Sequence, residues 1–289
     1  MDYRKGDRVK HPTKDDWGLG EVLENSNGES VRVFFVGAGE KLLSLKYVKP
    51  VRVVGAESSH IVLDNLRISK SPTGLKYQSL TDSVQYFLEQ FPEGFYGEKF
   101  QINERDYKVK ANALAQELLS SESFRQLLES GNYSKIVKRA LRLVNATNLI
   151  FPNEKMALKD GLVDADARKS FAEVLFLLLH GEGDFEKRFM AFASFLEEID
   201  SAKWTTATYF LFIMHPDKYM FVKPTITQYA GDLCGFELNY KPQLNWLTYK
   251  SVLKFSEYLH SELTALAPRD MIDIQSFMWC IAPGTYKDA

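Results

Sequence analysis

The first 54 residues show the alternation of apolar and polar positions that is typical of short β-strands. Glycine- and asparagine-rich turns separate the strand-like runs. Five such runs are present, at residues 6–11, 17–23, 31–36, 41–48 and 51–54. Short strands at this close spacing favour a small all-β barrel. We therefore predict a barrel domain over residues 1–54.

The apolar period becomes helical after residue 80. Val84, Phe87, Leu88 and Phe91 recur at helical spacing, and a second such face begins at Ala111. Further helices are predicted near residues 122–130, 133–146, 166–180, 184–199, 204–214, 225–234, 246–264 and 269–281. Residues 80–289 are therefore predicted to form an all-α domain. Residues 55–79 are polar and rich in turn-forming residues, and predict a linker with one extra strand at residues 60–63.

Composition narrows the possible partners and cofactors. The chain of 289 residues has a formal net charge of -2, so any nucleic acid would have to bind a local basic face. Two cysteines and five histidines without metal-ligand spacing predict no disulfide framework, metal or other cofactor. The start of the chain lacks the apolar segment of a signal peptide, and no apolar run is long enough to cross a bilayer. We expect a cytoplasmic protein without a membrane partner.

One resemblance covers about the first 50 residues. The residues that carry it are Gly-Asp at 6–7, His-Pro at 11–12, Trp-Gly-Leu-Gly at 17–20 and the apolar run at 31–35. This order resembles the Tudor-like module, an SH3-type barrel, of bacterial repair helicases and related transcription-coupled repair factors. The resemblance implies a non-catalytic barrel that docks on RNA polymerase, a helicase or another protein surface.

A basic helix face is predicted at residues 133–146. Ile136, Val137, Ala140, Leu141 and Val144 form its apolar stripe. The opposite face carries four cations with no carboxylate nearby in the sequence, namely Lys135, Lys138, Arg139 and Arg142. Such a face is suited to bind phosphates, although an ordinary solvated face has the same pattern.

The connection between the helices near 184–199 and 204–214 has the layout of a helix-hairpin-helix. Ser201 and Lys203 occupy the positions where this hairpin usually has glycines, and Thr205 and Thr206 open the second helix. The first-turn N–H groups of a helix lack partners within the helix and are available to a DNA phosphate. We therefore predict DNA contacts at Ser201, Lys203, Thr205 and Thr206.

The segments that follow resemble, over about residues 80–282, the helix-hairpin-helix DNA glycosylases. The resemblance implies an all-α glycosylase-like fold and DNA as the partner. The Val-Lys-Pro step at residues 222–224 matches the family's Val-Asp step, so Lys223 replaces the aspartate that stabilises the oxocarbenium ion or activates water. Thr205 stands where bifunctional members have their Schiff-base lysine.

The last predicted helix adds a candidate base pocket. Gln275 and Trp279 share one helix face at spacing i, i+4, and the family can use such a pair to bind an extruded base. Asp270 is a further candidate for substrate binding, although it could equally cap the helix. The missing carboxylate could come from Asp273 or Asp217, and also from Asp270. Alternatively, a desolvated Lys223 could attack the sugar directly.

Three functional hypotheses follow. The first, which we favour, is a monofunctional DNA glycosylase that flips and excises a modified base, for example a hypermodified phage base in antiviral defence. The second is a non-catalytic DNA-binding adaptor that docks on RNA polymerase or a helicase through its Tudor-like barrel. The third is a helical adaptor that binds no nucleic acid. All three place a Tudor/SH3-like barrel at residues 1–54, a linker at 55–79 and an all-α domain at 80–289.

Overall fold

The computed structural model of the chain describes residues 3–65 and 80–286. The described residues form two compact units. One unit contains residues 3–65, 80–90, 228–237 and 281–286, and the other contains residues 91–227 and 238–280. A β-rich segment comes first and helices follow, so the predicted order of the two classes of structure is confirmed.

The five predicted strands of the N-terminal segment are present, and they form an antiparallel sheet. The strands are β1 (Arg8–Lys10), β2 (Leu19–Val22), β3 (Ser30–Phe35), β4 (Gly39–Ser44) and β5 (Val51–Arg52). Their order across the sheet is β4-β3-β2-β1-β5. Among the described strands β4 and β5 do not pair with each other, so the sheet is not closed.

The sheet covers its own small core. Val9, Val22, Val33 and Phe35 point into this core and are fully buried. Gly20 is paired with Phe35 across β2 and β3, and a β-carbon at Gly20 would lie only 2.7 Å from the phenyl ring. A side chain at Gly20 would therefore overlap Phe35, which explains why glycine occupies a strand interior here.

The helices follow the predicted pattern closely. They are α1 (Ile61–Asp64), α2 (Leu80–Gln90), α3 (Glu98–Phe100), α4 (Asp106–Leu118), α5 (Ser121–Glu129), α6 (Tyr133–Asn145), α7 (Pro152–Gly161), α8 (Ala165–His180), α9 (Phe185–Glu198), α10 (Trp204–Met214), α11 (Pro224–Leu233), α12 (Trp246–Glu262) and α13 (Met271–Ile281). A π-helical turn, Gln101–Arg105, joins α3 to α4. The helices α3 and α7 were not predicted.

The predicted linker is only partly described. The strand predicted at residues 60–63 is wrong, because Ile61–Asp64 is a single helical turn. The Val62 N–H donates to Nδ1 of His60, 3.2 Å away, and this local cap stabilises the turn in place of strand pairing. The remainder of the predicted linker, residues 66–79, lies outside the described residues.

The helix α10 forms the centre of the second unit. Every residue from Trp204 to Met214 is buried, and the helix contacts α4, α7, α8 and α9. A helix that is enclosed on all sides is apolar all round, which explains why its sequence has no polar stripe. One of these neighbours, α4, carries side chains of the candidate site.

Candidate functional site

A cavity of about 210 Å³ lies in the second unit. Its wall is drawn from the π-helical turn, α4, the α6–α7 connection, the residue before α11, and α13. The lining residues are Asn103, Glu104, Tyr107, Lys108, Asn148, Leu149, Lys223, Gln275 and Trp279. Lys223, Gln275 and Trp279, three of the predicted site residues, therefore meet at one cavity although they are far apart in the sequence.

Glu104 and Lys108 form a buried charged pair in the cavity wall. The Lys108 ammonium lies 3.7 Å from a Glu104 carboxylate oxygen and donates to the Ser276 hydroxyl at 2.7 Å. Burial lowers the pKa of Lys108 to about 8, although Glu104 opposes the shift. Of the residues that line the cavity, Glu104 alone carries a carboxylate. It lies on the π-helical turn, a local distortion that is frequent at functional sites.

Gln275 presents a polar atom with no protein partner. The residue is only 4% exposed, and its side-chain oxygen accepts no hydrogen bond from any described residue. A buried acceptor without a partner costs about 1–3 kcal/mol. Because Gln275 lines the cavity, a donor on a bound ligand would remove this cost.

Lys223 lies between two aromatic rings. Its ammonium is 4.6 Å from the ring centre of Trp279 and 4.9 Å from that of Phe151. Burial lowers the pKa of Lys223, and the Glu154 carboxylate opposes this shift. The cation–π contacts favour the charged form and fix the side chain beside the aromatic wall.

Asp273 and Asp270 do not line the cavity and instead hold two arginines. Asp273 is fully buried, and its carboxylate accepts from Arg105 at 2.9 Å and from Arg269 at 2.8 and 2.9 Å. Asp270 binds Arg105 with both oxygens, at 2.8 and 2.7 Å, and accepts from the N–H of Ile272 at the start of α13. This arrangement, which we call the arginine–aspartate cluster, joins α13 to the segment that carries Glu104.

Asp217 lies apart from these residues. It is exposed in the connection between α10 and α11 and is not part of the cavity wall. Its carboxylate is therefore not brought together with Lys223, Gln275 and Trp279.

The predicted hairpin is a tight turn between α9 and α10. Ser201, Thr205 and Thr206 are buried, whereas Lys203 is exposed and does not cap α10 with its side chain. The Thr205 hydroxyl donates to Glu154 at 2.9 Å. Asp200 adopts a left-handed backbone with φ of 55°, which replaces the glycine that such a turn favours.

The basic face of α6 is divided in the structure. Arg139 turns inward and donates to the Leu118 carbonyl and the Ser123 hydroxyl, at 3.0 and 2.7 Å. Lys135, Lys138 and Arg142 are exposed, and the latter two line a second depression between α6 and α7. The four cations therefore do not form one continuous face.

Three residues of the cavity wall were not predicted as site residues, namely Glu104, Lys108 and Asn148. A signal for the first two was present, because they are four residues apart and Lys108 lies three residues before Ala111 on the apolar face of α4. A charged pair on an apolar stripe indicates a buried polar site. Asn148 is in a helix connection and carried no such signal.

The described residues contain neither a metal-binding cluster nor a membrane-spanning helix. No cluster of histidine, cysteine, aspartate and glutamate side chains in residues 3–65 and 80–286 could hold a metal ion. No helix within the same residues is both long and apolar enough to span a membrane.

The arginine–aspartate cluster predicts a large stability cost for Asp273→Asn. The change removes a fully buried charge that pairs with the buried Arg105 and the partly exposed Arg269, and Asp270 compensates only Arg105. We expect the free energy of unfolding to fall by up to about 3–5 kcal/mol. Chemical denaturation of the full chain measures this, with the exposed Asp160→Asn as control. A loss below about 1 kcal/mol would show that the cluster contributes little.

Lys108 predicts a pH-dependent stability. Its pKa of about 8 in the folded state lies below the ordinary value of 10.5, so the unfolded chain binds more protons between these two pH values. The free energy of unfolding should therefore gain up to about 3 kcal/mol from this residue as the pH rises through this window.

Lys108→Met removes this contribution, so its unfolding free energy should rise less with pH than that of the wild type. Denaturant titrations across the same window measure the difference, and Lys110→Met, an exposed neighbour on α4, is the control. Parallel profiles for the wild type and Lys108→Met would contradict the prediction.

Comparison with known proteins gives one partial match. Residues 3–53 match a protein-family model described as "Protein of unknown function (DUF3553)". These residues cover the five-stranded sheet. No curated protein and no solved structure matches the chain.

Proposed function

We propose that the protein is a base-flipping DNA glycosylase-like enzyme that excises a modified base. The single observation that carries the proposal is the cavity in which Lys223, Gln275 and Trp279 meet. We also propose that the second unit is a distant form of the helix-hairpin-helix glycosylase fold, which the hairpin between α9 and α10 supports.

The cavity has the size and the groups that a flipped base requires. A cavity of about 150 Å³ is known to hold a benzene ring, so about 210 Å³ has room for one aromatic heterocycle. Trp279 offers a ring for stacking, and the unpaired oxygen of Gln275 offers an acceptor for a donor on the edge of the base. A base that stacks on the ring face beside Lys223 would displace that ammonium.

Glu104 is the carboxylate that the reaction requires. Cleavage of an N-glycosidic bond builds positive charge on the sugar, which a nearby carboxylate stabilises. Glu104 takes a proton from a water molecule, the water oxygen bonds to C1′, and the C1′–N bond breaks with its electron pair moving to the base. The departing base takes a proton from the Lys223 ammonium, so atoms and charge balance.

The same geometry is compatible with a second candidate function, that of a non-catalytic DNA-binding adaptor. The Glu104 carboxylate is already paired with the Lys108 ammonium at 3.7 Å, and this contact competes with a contact to a water molecule. A chain that binds distorted DNA in this cavity without cutting the glycosidic bond would have the same lining.

We propose in addition that residues 1–54 are a Tudor/SH3-like module that docks on RNA polymerase or a helicase. The strand order, in which the last strand pairs with the first, fits a small five-stranded barrel. Leu42 and Tyr47, 69% and 77% exposed, offer apolar contacts to a protein partner. Co-purification of the full chain with either partner, lost in Tyr47→Ser, tests this docking.

The central experiment measures base release by Glu104→Gln. Purified protein is incubated with duplex DNA that carries ordinary, damaged or glycosylated bases, and alkali-labile abasic sites are counted. We expect the wild type to release one class of base and Glu104→Gln to be slower by about 100-fold or more, because the general base is lost.

The exposed Glu98→Gln, close in the sequence, is the matched control and should retain activity. DNA affinity of Glu104→Gln should remain near that of the wild type, which separates a catalytic loss from a folding defect. DNA binding without abasic product from any substrate would support the adaptor instead.

A separate prediction distinguishes the roles of Lys223. If water attacks C1′, borohydride added during the reaction should trap no protein–DNA adduct, since no imine forms. Lys223→Met, which keeps the apolar contacts with both rings, should slow base release by about tenfold or more because the proton donor is lost.

The exposed Lys250→Met serves as the charge-matched control. A trapped adduct that appears with the wild type and is absent with Lys223→Met would show that the lysine is the nucleophile. That result would contradict the water mechanism.

A further inference from the structure

A basic depression of about 530 Å³ lies between α6 and α7. Two of its cations, Lys138 and Arg142, come from α6, and two, Lys155 and Lys159, come from α7. Its remaining lining residues are Leu141, Val144, Asn145 and Met156. None of these residues is acidic. We call this depression the α6–α7 groove.

The charges of the groove are available to a ligand. Lys138, Arg142 and Lys159 are exposed, and within the described chain none of the four cations forms an ion pair. Lys155 donates to the Thr147 carbonyl at 2.6 Å, which directs its ammonium along the wall. The groove therefore differs from Arg139 on the same helix, whose guanidinium is already used in contacts with protein groups.

The spacing of the cations indicates an extended anion. Each helix presents its pair at i, i+4, so the two members of a pair are about 6 Å apart along the helix axis. Like charges at this spacing destabilise a helix by a few tenths of a kcal/mol per pair. A polyanion that lies along the groove would remove this repulsion for both helices, whereas a single small anion would reach only part of the set.

The groove and the cavity share the α6–α7 connection. Asn145, at the end of α6, lines the groove, and Asn148 and Leu149 line the cavity. A chain segment of three residues spans at most about 11 Å, so the two walls lie within about three nucleotide steps of each other.

We infer that the α6–α7 groove binds the phosphodiester backbone of DNA next to the nucleotide whose base enters the cavity. This inference rests on the proposed function, since it takes the cavity as the base site. Within it, Lys138, Arg142 and Lys159 contact successive phosphates, and Lys155 fixes the connection that separates groove from cavity.

The test is the salt dependence of binding to a fluorescein-labelled duplex with a tetrahydrofuran abasic analogue at its centre. The analogue has no base, so binding does not depend on the cavity or on catalysis. The affinity of the wild type should fall as salt rises, so the slope of log K against log salt is negative. The triple change Lys138→Ala, Arg142→Ala and Lys159→Ala should make this slope less steep by about 2–3, close to one for each lost phosphate contact.

A second triple change, Lys169→Ala, Lys187→Ala and Lys250→Ala, removes the same charge from exposed positions on other helices. It should alter the slope by less than about one. Lys135→Ala, one turn before the groove on α6, should also have little effect.

Equal slopes for the two triple variants would overturn the inference, as would the absence of measurable DNA binding. If the triple groove variant loses as much or more of the salt dependence of binding with an RNA duplex of the same sequence, the groove binds RNA. Base release at saturating protein reports separately on the proposed function. A groove variant that still releases base at saturation, but binds DNA with a less steep salt dependence, supports both the proposed function and the inference about the groove.

Discussion

The carboxylate of Asp273 lies between two guanidinium groups, and the walls of the cavity depend on that contact. Arg105 is the residue after Glu104, and Asp273 lies two residues before Gln275. The ion pair between Arg105 and Asp273, with a distance of 2.9 Å, therefore fixes how far Glu104 on one wall of the cavity lies from Gln275 on the other. Desolvating these charges is expensive, and Asp270 and Arg269 offset the cost by pairing with the remaining donors and acceptors.

The cavity is a second polar region of the interior, next to the arginine–aspartate cluster. Its charged groups are Glu104, Lys108 and Lys223, and of these only Lys108 is fully enclosed. A buried ammonium remains there because Ser276 and Glu104 both contact it. The lining is therefore held in place by contacts within the protein, while the oxygen of Gln275 remains open to a ligand. A wall that is fixed in this way, with the Gln275 oxygen as an unpaired acceptor, favours a ligand that places a donor opposite that oxygen.

Most of the helices were predictable because their apolar stripes have the helical period. The helix α7 was missed because its hydrophobic positions are few and Met156 is exposed, so the period is weak. The turn Ile61–Asp64 was predicted as a strand because a short apolar run does not distinguish the two structures. The five strands were predictable, but the closed barrel is not formed by the described strands, because the edge strands β4 and β5 do not pair with each other. Alternation of apolar and polar residues identifies strands and does not identify which of them pair.

The candidate site was only partly predictable, for a related reason. Lys223, Gln275 and Trp279 were identified from motif order, and their meeting at one cavity depends on α11 and α13, which no local pattern relates to each other. Asp273 looked equally suitable as an acid, because the sequence gives the carboxylate and not its partners. The structure instead places it between Arg105 and Arg269.

The two sets of cations differ in environment, and the proposed function uses this difference. Lys108 and Lys223 are desolvated, and burial lowers the pKa of each, so they suit proton transfer and contact with a single buried ligand. Lys138, Arg142 and Lys159 are exposed, so water and salt screen their attraction for an anion. A protein that draws one nucleotide out of a duplex needs both kinds, since the backbone must be held in water while the base is read in a dry pocket. The α6–α7 connection joins the groove to the cavity over only a few residues. In the proposed function, a shift of the groove on binding the DNA backbone would therefore also move the cavity wall.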